Sequence, residues 1–221
     1  MKRLWLNWTF NCATGELLGI GTAGAIAYGI NTAIGEPVHI MTKLIVLFAM
    51  MMAGAIEGSL LGFFQWRVLK KIWPTMPSGT WIGYTIAIAV LGWFLGMLPS
   101  LFFIPSQVEA SANAGVELDQ PVLFAVLSIG SGLLLGALFG LFQWIPLRKY
   151  SPKAAYWILA NALGWGLGLG WIYLVASLPQ EGSPLSVLIS LGIAGGLLAG
   201  LSVGAITGWF LIRKIIPVAG G

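Results

Sequence analysis

The chain has 221 residues, 58% of them hydrophobic and 8% charged, with a formal net charge of +4 and one cysteine, Cys12. Soluble domains carry about 25% charged residues, so a soluble fold is excluded, and a lone cysteine excludes an internal disulfide. The positive charge sits in short segments between apolar runs, which is the pattern of membrane orientation and not of a nucleic-acid footprint.

A bilayer core asks for about 20 apolar residues per helix. Six runs meet that length, at 9–34, 44–66, 81–103, 122–144, 157–178 and 185–210. The first begins like a secretory leader, but Glu16 interrupts it and the apolar character continues to Ile34, so it reads as a retained span. Prolines punctuate the intervening breaks, as expected of a residue that cannot continue a helix (Pro37, Pro74, Pro77, Pro105, Pro121, Pro152, Pro179 and Pro184). The predicted fold class is therefore an all-α integral membrane protein of six transmembrane helices. It forms one bundle over 1–221.

Of the eleven basic residues, all but Lys43 fall in the segments on one side: Lys2, Arg3, Arg67, Lys70, Lys71, Arg148, Lys149, Lys153, Arg213 and Lys214. Glu36, Glu109, Glu117, Asp119 and Glu181 fall on the other. The positive-inside rule then predicts both termini in the cytoplasm.

The even spans end alike, in FFQWRVLKK (Phe63–Lys71), LFQWIPLRK (Leu141–Lys149) and TGWFLIRK (Thr207–Lys214). The odd spans begin alike. WTFNCATGELLGIG from Trp8 matches WILANALGWGLGLG from Trp157, and WIGYTIAIAVLGWFLG from Trp81 fits if one extra helical turn is allowed. The unit is a helical hairpin, repeated over 1–73, 74–152 and 153–221, and three parallel copies predict a pseudo-threefold bundle. Trp8, Trp66, Trp81, Trp144, Trp157 and Trp209 are read as an interfacial belt, with lysine or arginine snorkelling beyond it. Gln65 and Gln143, beside two of these tryptophans, are read as interfacial too.

Glycines four apart share a helix face. Gly54, Gly58 and Gly62, then Gly132, Gly136 and Gly140, then Gly192, Gly196, Gly200, Gly204 and Gly208 give each even helix a flat groove. Such grooves let backbones approach closely in lipid, and they could also take a planar pigment, a lipid or a partner helix. On odd helices the pairs are Gly15 with Gly19, Gly92 with Gly96, and Gly164 with Gly168.

Glu16 and Glu57 are the two acids inside spans. At about 1.5 Å per residue both lie roughly 12–14 Å from the tryptophan level, on consecutive antiparallel helices. Intramembrane carboxylates are functional candidates, and two together invite a shared proton, a cation or a pigment metal. Otherwise each would hydrogen-bond locally, with Asn11 the nearest side-chain partner. The sole histidine, His39, and Cys12 offer no metal set, and no catalytic motif is present.

The stretch GLFQWIPLRKYSPKAAYWILANALGWGLG (Gly140–Gly168) resembles Gly- and Trp-rich multi-pass membrane proteins with a repeated QW-x-x-L-[RK] motif, common in cyanobacteria. Arg67 and Pro146 vary within the motif, and Gly208 stands for the glutamine in the third copy. The resemblance implies a bacterial plasma or thylakoid membrane and supplies no catalytic residues. The expectation is a non-enzymatic accessory or assembly subunit that binds a larger membrane complex, a pigment such as chlorophyll or a carotenoid, or lipid through the grooves. The alternative is a small transporter or channel built on Glu16 and Glu57. Beyond lipids and such a complex, no partner is implied, and none is a nucleic acid.

Overall fold

The computed structural model describes residues 1–103, 120–179 and 182–216. The acidic linker around Ile104–Pro121 lies outside them apart from its last two residues, and Glu181 lies outside as well. Six helices form the protein: α1 (Lys2–Ile34), α2 (Ile40–Ile72), α3 (Ser78–Leu98), α4 (Gln120–Leu147), α5 (Tyr156–Ala176) and α6 (Leu185–Phe210). π-helical turns prolong α3 over Pro99–Phe103 and α6 over Leu211–Ile215. All six are long and apolar enough to cross a bilayer, and no strand occurs among the described residues.

Helix α2 runs past the apolar stretch that predicted it. The apolar run ends at residue 66, yet helix persists to Ile72 because the basic word is amphipathic. Val68 and Leu69 are buried, while Arg67, Lys70 and Lys71 face out. Lys70 Nζ lies 4.8 Å from the Trp66 ring centroid, and the Arg148 guanidinium carbon lies 5.0 Å from that of Trp144. Residues four apart meet on a helix, and each cation over a ring adds about 0.5–1 kcal/mol where exposed. The spacing between tryptophan and base is thus a stacked cap on the end of the helix.

Each helix packs on its neighbours in chain order, and α6 packs on α1 to close a ring. The glycine faces make three of these contacts, each against the helix that follows. A Cβ on Gly58 would stand 2.7 Å from Ile86 Cα of α3, one on Gly140 would stand 2.5 Å from Ile158 Cα of α5, and one on Gly204 would stand 2.8 Å from Thr9 Cα of α1. Real Cβ atoms do not come so close, so these backbones touch because the side chains are missing. Gly132, Gly136 and Gly200 meet backbone in the same way and Gly62 slightly less closely, while Gly54 and Gly208 are filled by the indoles of Trp93 and Trp8. The grooves are occupied by the protein's own helices, which leaves no room there for pigment or lipid. Gly196 is looser, at 3.6 Å from Leu17 Cα, and Gly192 meets nothing within 4 Å.

Inside hairpins the odd helices supply the small residues. Gly15 fits against Leu61, Gly19 against Glu57, and Gly164 and Gly168 against Val203. The α3–α4 contact is the slightest in the ring. There Gly92 meets only the flexible end of Leu135, and Gly96, expected to pack beside it, meets nothing. Ile88, seven residues beyond Trp81, stands where Gly15 and Gly164 stand relative to Trp8 and Trp157. Its side chain is fully buried, in one core cluster with Phe139 of α4.

The ring is tight at its basic end and loose at the other. α1 and α6 touch as far as Ile20 and Gly196, beyond which residues 184–190 are all exposed. A substitution pair reads this gradient. Gly140→Ala should destabilise the protein by about 1–3 kcal/mol through overpacking. Gly192→Ala should be neutral or stabilising by up to about 1 kcal/mol through helix propensity. Thermal unfolding in detergent measures both, and equal effects would mean that the Gly140 contact is not close.

Candidate functional site

At the basic end three indoles meet inside the bundle. Trp8, Trp81 and Trp157 are each fully buried, so they are core residues and not members of the interfacial belt expected from sequence. Trp157 lies edge-on to both others, at centroid distances of 5.5 Å to Trp8 and 6.1 Å to Trp81. Trp66 and Trp144 are half-buried and Trp209 is exposed, so these three alone keep the surface position.

A buried indole N–H requires an acceptor. Trp81 Nε1 donates to Gln65 Oε1 at 3.2 Å, Trp157 Nε1 to Gln143 Oε1 at 2.9 Å, and Trp8 Nε1 to Thr207 Oγ1 at 2.9 Å. Each acceptor lies three residues beyond a groove glycine, Gly62, Gly140 or Gly204. Thr207, and not Gly208, therefore takes the glutamine's place. The spacing from the glycines was a usable signal, but alignment on Trp209 hid it. Both glutamines are buried. Gln143 Nε2 donates to Gln65 Oε1 at 2.9 Å and to Thr85 Oγ1 at 3.0 Å, and Gln65 Nε2 points to Cys12 Sγ at 3.8 Å. These amides are structural links in the core and reach neither water nor a loop.

Further along α1 and α2 lie the carboxylates. Glu16 is fully buried against Gly200 of α6, and Glu57 is buried against Gly19 of α1. They lie within electrostatic range of one another but share no hydrogen bond. Glu57 Oε2 accepts a 2.6 Å bond from Trp93 Nε1 of α3. Trp93 was not singled out from sequence, although an indole midway along a span is a visible oddity. Both oxygens of Glu16 lack any partner, as does Thr9 Oγ1. Asn11 does not join the pair, since its amide donates to Asn7 O and Oδ1 on its own helix. Asn161 likewise donates to Trp157 O within α5.

Beyond Trp93 the interior opens. A cavity of about 440 Å3 lies between α1, α2 and α3, lined by Ile20, Ala23, Gly24, Ala27, Ile30, Val46, Met50, Trp93, Met97 and Leu101, with Asn31, Gly35 and Pro37 near its mouth. The lining is apolar but for Asn31 and the indole N–H, which Glu57 already holds. The volume falls within the roughly 300–1,000 Å3 of small-molecule sites. Among the described residues, no group of three or more His, Cys, Asp or Glu side chains could hold a metal.

The two carboxylates should respond oppositely to removal. Glu57→Leu orphans the Trp93 N–H and should cost about 1–3 kcal/mol. Glu16→Leu removes a buried polar group that has no partner and should raise the thermal midpoint. A midpoint that falls as far for Glu16→Leu as for Glu57→Leu would show that Glu16 has a stabilising partner.

No family model, curated protein or solved structure matches the chain, so its function is read from this geometry.

Proposed function

We propose that the protein is a non-enzymatic accessory subunit of a membrane complex, holding an apolar ligand in the cavity between α1, α2 and α3. The ligand class is a lipid, or a pigment such as a carotenoid or the tail of chlorophyll. One observation carries this reading: the glycine grooves are filled, whereas the α1–α3 cavity is open and almost wholly apolar. Apolar contact dominates such sites, and this one has no charged lining residue with which to bind a soluble metabolite.

The pseudo-threefold arrangement of hairpins 1–73, 74–152 and 153–221 belongs to the same proposal. It is supported by the recurrence of indole-to-acceptor bonds at three helix pairs and of glycine contacts against the following helix. The cytoplasmic placement of both termini is supported by the cations capping α2, α4 and α6 at one end. The repeated motif favours a bacterial plasma or thylakoid membrane.

A second reading, a small transporter or channel, is favoured by the unpartnered carboxylate of Glu16. Such a residue at this depth suits a proton or cation site. Against it, the indole and glutamine core seals the basic end, so a path would need that core to part.

Purification from native membranes in mild detergent, with absorbance and mass spectrometry of what co-purifies, tests the first reading. Wild type should carry a lipid or pigment in defined stoichiometry. Gly24→Phe, which projects into the cavity from a position where a Cβ meets nothing within 4 Å, should reduce that ligand at least tenfold. Gly192→Phe, equally open but away from the cavity, should not. Wild type arriving free of ligand would sink the proposal, and proton flux lost in Glu16→Gln proteoliposomes would install the second reading. For orientation, Lys149→Cys should react with an impermeant maleimide only from the cytoplasmic side, with buried Cys12 giving no background.

A further inference from the structure

The three corners of the basic end are built differently. Between α2 and α3 the chain turns through Trp73–Pro77, and Trp66 Nε1 donates to Met76 O at 3.0 Å. Between α4 and α5 the linker is tied down by Ser151 Oγ, which donates to Ile215 O at 2.7 Å, and by Tyr150 OH, which donates to Thr75 O at 3.2 Å. The corner between α6 and α1 has no linker over it among the described residues, and a cleft of about 210 Å3 opens there.

Its lining is Met1, Lys2, Trp5, Trp209, Ile212 and Arg213. The π-helical turn explains this composition. Ile216 N–H reaches back five residues to Leu211 O at 2.9 Å, which turns Leu211, Ile212 and Ile215 inward and leaves Arg213 and Lys214 outside. Ile212 gives a buried apolar floor. Trp5 makes one fixed wall, its Nε1 donating to Ala205 O at 2.9 Å. Trp209 makes the other, 47% exposed and edge-on to Phe210 at 5.1 Å. Lys2 and Arg213 stand exposed at the rim, with no acid or other hydrogen-bonding partner among the described residues.

We propose that this cleft is a headgroup site for an anionic membrane phospholipid. Lys2 and Arg213 take the phosphate, the indoles flank the glycerol region, and Ile212 meets the start of a chain. Cations with no counter-ion beside tryptophan at the end of a span suit an anionic amphiphile. The apolar floor and aromatic walls distinguish this from a site for free phosphate, which would use the cations alone. The site is separate from the α1–α3 cavity and does not depend on what fills it.

Native mass spectrometry of the full chain in detergent, titrated with phosphatidylglycerol or phosphatidylcholine, tests the assignment. One phosphatidylglycerol should bind in preference to phosphatidylcholine. Lys2→Gln with Arg213→Gln should weaken it more than tenfold, at about fivefold per cation. Lys70→Gln with Arg148→Gln, which removes the cations over Trp66 and Trp144, should leave it within twofold. Arg213→Gln alone, an exposed change that spares the fold, should weaken it about fivefold. Equal weakening by the two pairs would reduce the effect to general attraction by the basic end and overturn the site. Equal binding of phosphatidylcholine, or displacement of the lipid by millimolar inorganic phosphate, would overturn the assignment to an anionic lipid.

Discussion

The bundle depends on satisfying three indole N–H groups away from water. A buried donor without an acceptor costs about 1–3 kcal/mol, and no solvent reaches the centre of a membrane bundle to relieve it. Trp8, Trp81 and Trp157 each solve this with one acceptor from the preceding even helix, Thr207, Gln65 and Gln143. That requirement fixes the axial register of α6 on α1, α2 on α3 and α4 on α5. Once the register is set, glycines four apart come opposite backbone on the facing helix, and the close approach follows. The hydrogen bonds specify which turn meets which. The glycines determine how near the helices come, and dispersion between close backbones supplies the drive that water would supply elsewhere.

The same logic accounts for the open end. The indole core and its amides lie at the basic end of the bundle, with the carboxylates further along α1 and α2. The α3–α4 contact is slight, and α6 leaves α1 after Gly196. What remains there is the α1–α3 side, where Ala23, Val46, Leu47, Met50, Ala53 and Leu101 form a small core of their own next to the cavity. The basic end is closed by the indole core, and the bundle is open on the α1–α3 side.

Much of this was legible in the residues. The six spans, the packing role of the glycines and the two buried acids follow from length, spacing and charge. Other features were not, for identifiable reasons. A tryptophan near a span end is equally compatible with a headgroup position and with a core position, and only the tertiary fold separates Trp81 from Trp66. In TGWFLIRK tryptophan is the more conspicuous letter, although Gly204 and Thr207 carry the contact. Helix length at the basic end was underestimated because hydropathy averages over Arg67–Lys71 and misses the buried Val68 and Leu69. The α1–α3 cavity arises from helices that diverge, and divergence leaves no mark on any one segment.

Glu16 and Glu57 show how one residue type takes two roles at one depth. Glu57 is accounted for by its neighbour, because Trp93, which lines the cavity, needs an acceptor and the carboxylate supplies it. Glu16 meets no such need. It sits against Gly200, where a leucine would pack, and its oxygens face no donor. A polar group buried without a partner works against folding, so packing gives no reason for its presence. Glu57 therefore belongs with the architecture of the α1–α3 cavity, whereas Glu16, like the Thr9 hydroxyl, has a burial cost that no partner among the described residues offsets. If the bundle moves protons or cations at all, that imbalance makes Glu16, and not the pair, the place where it would begin.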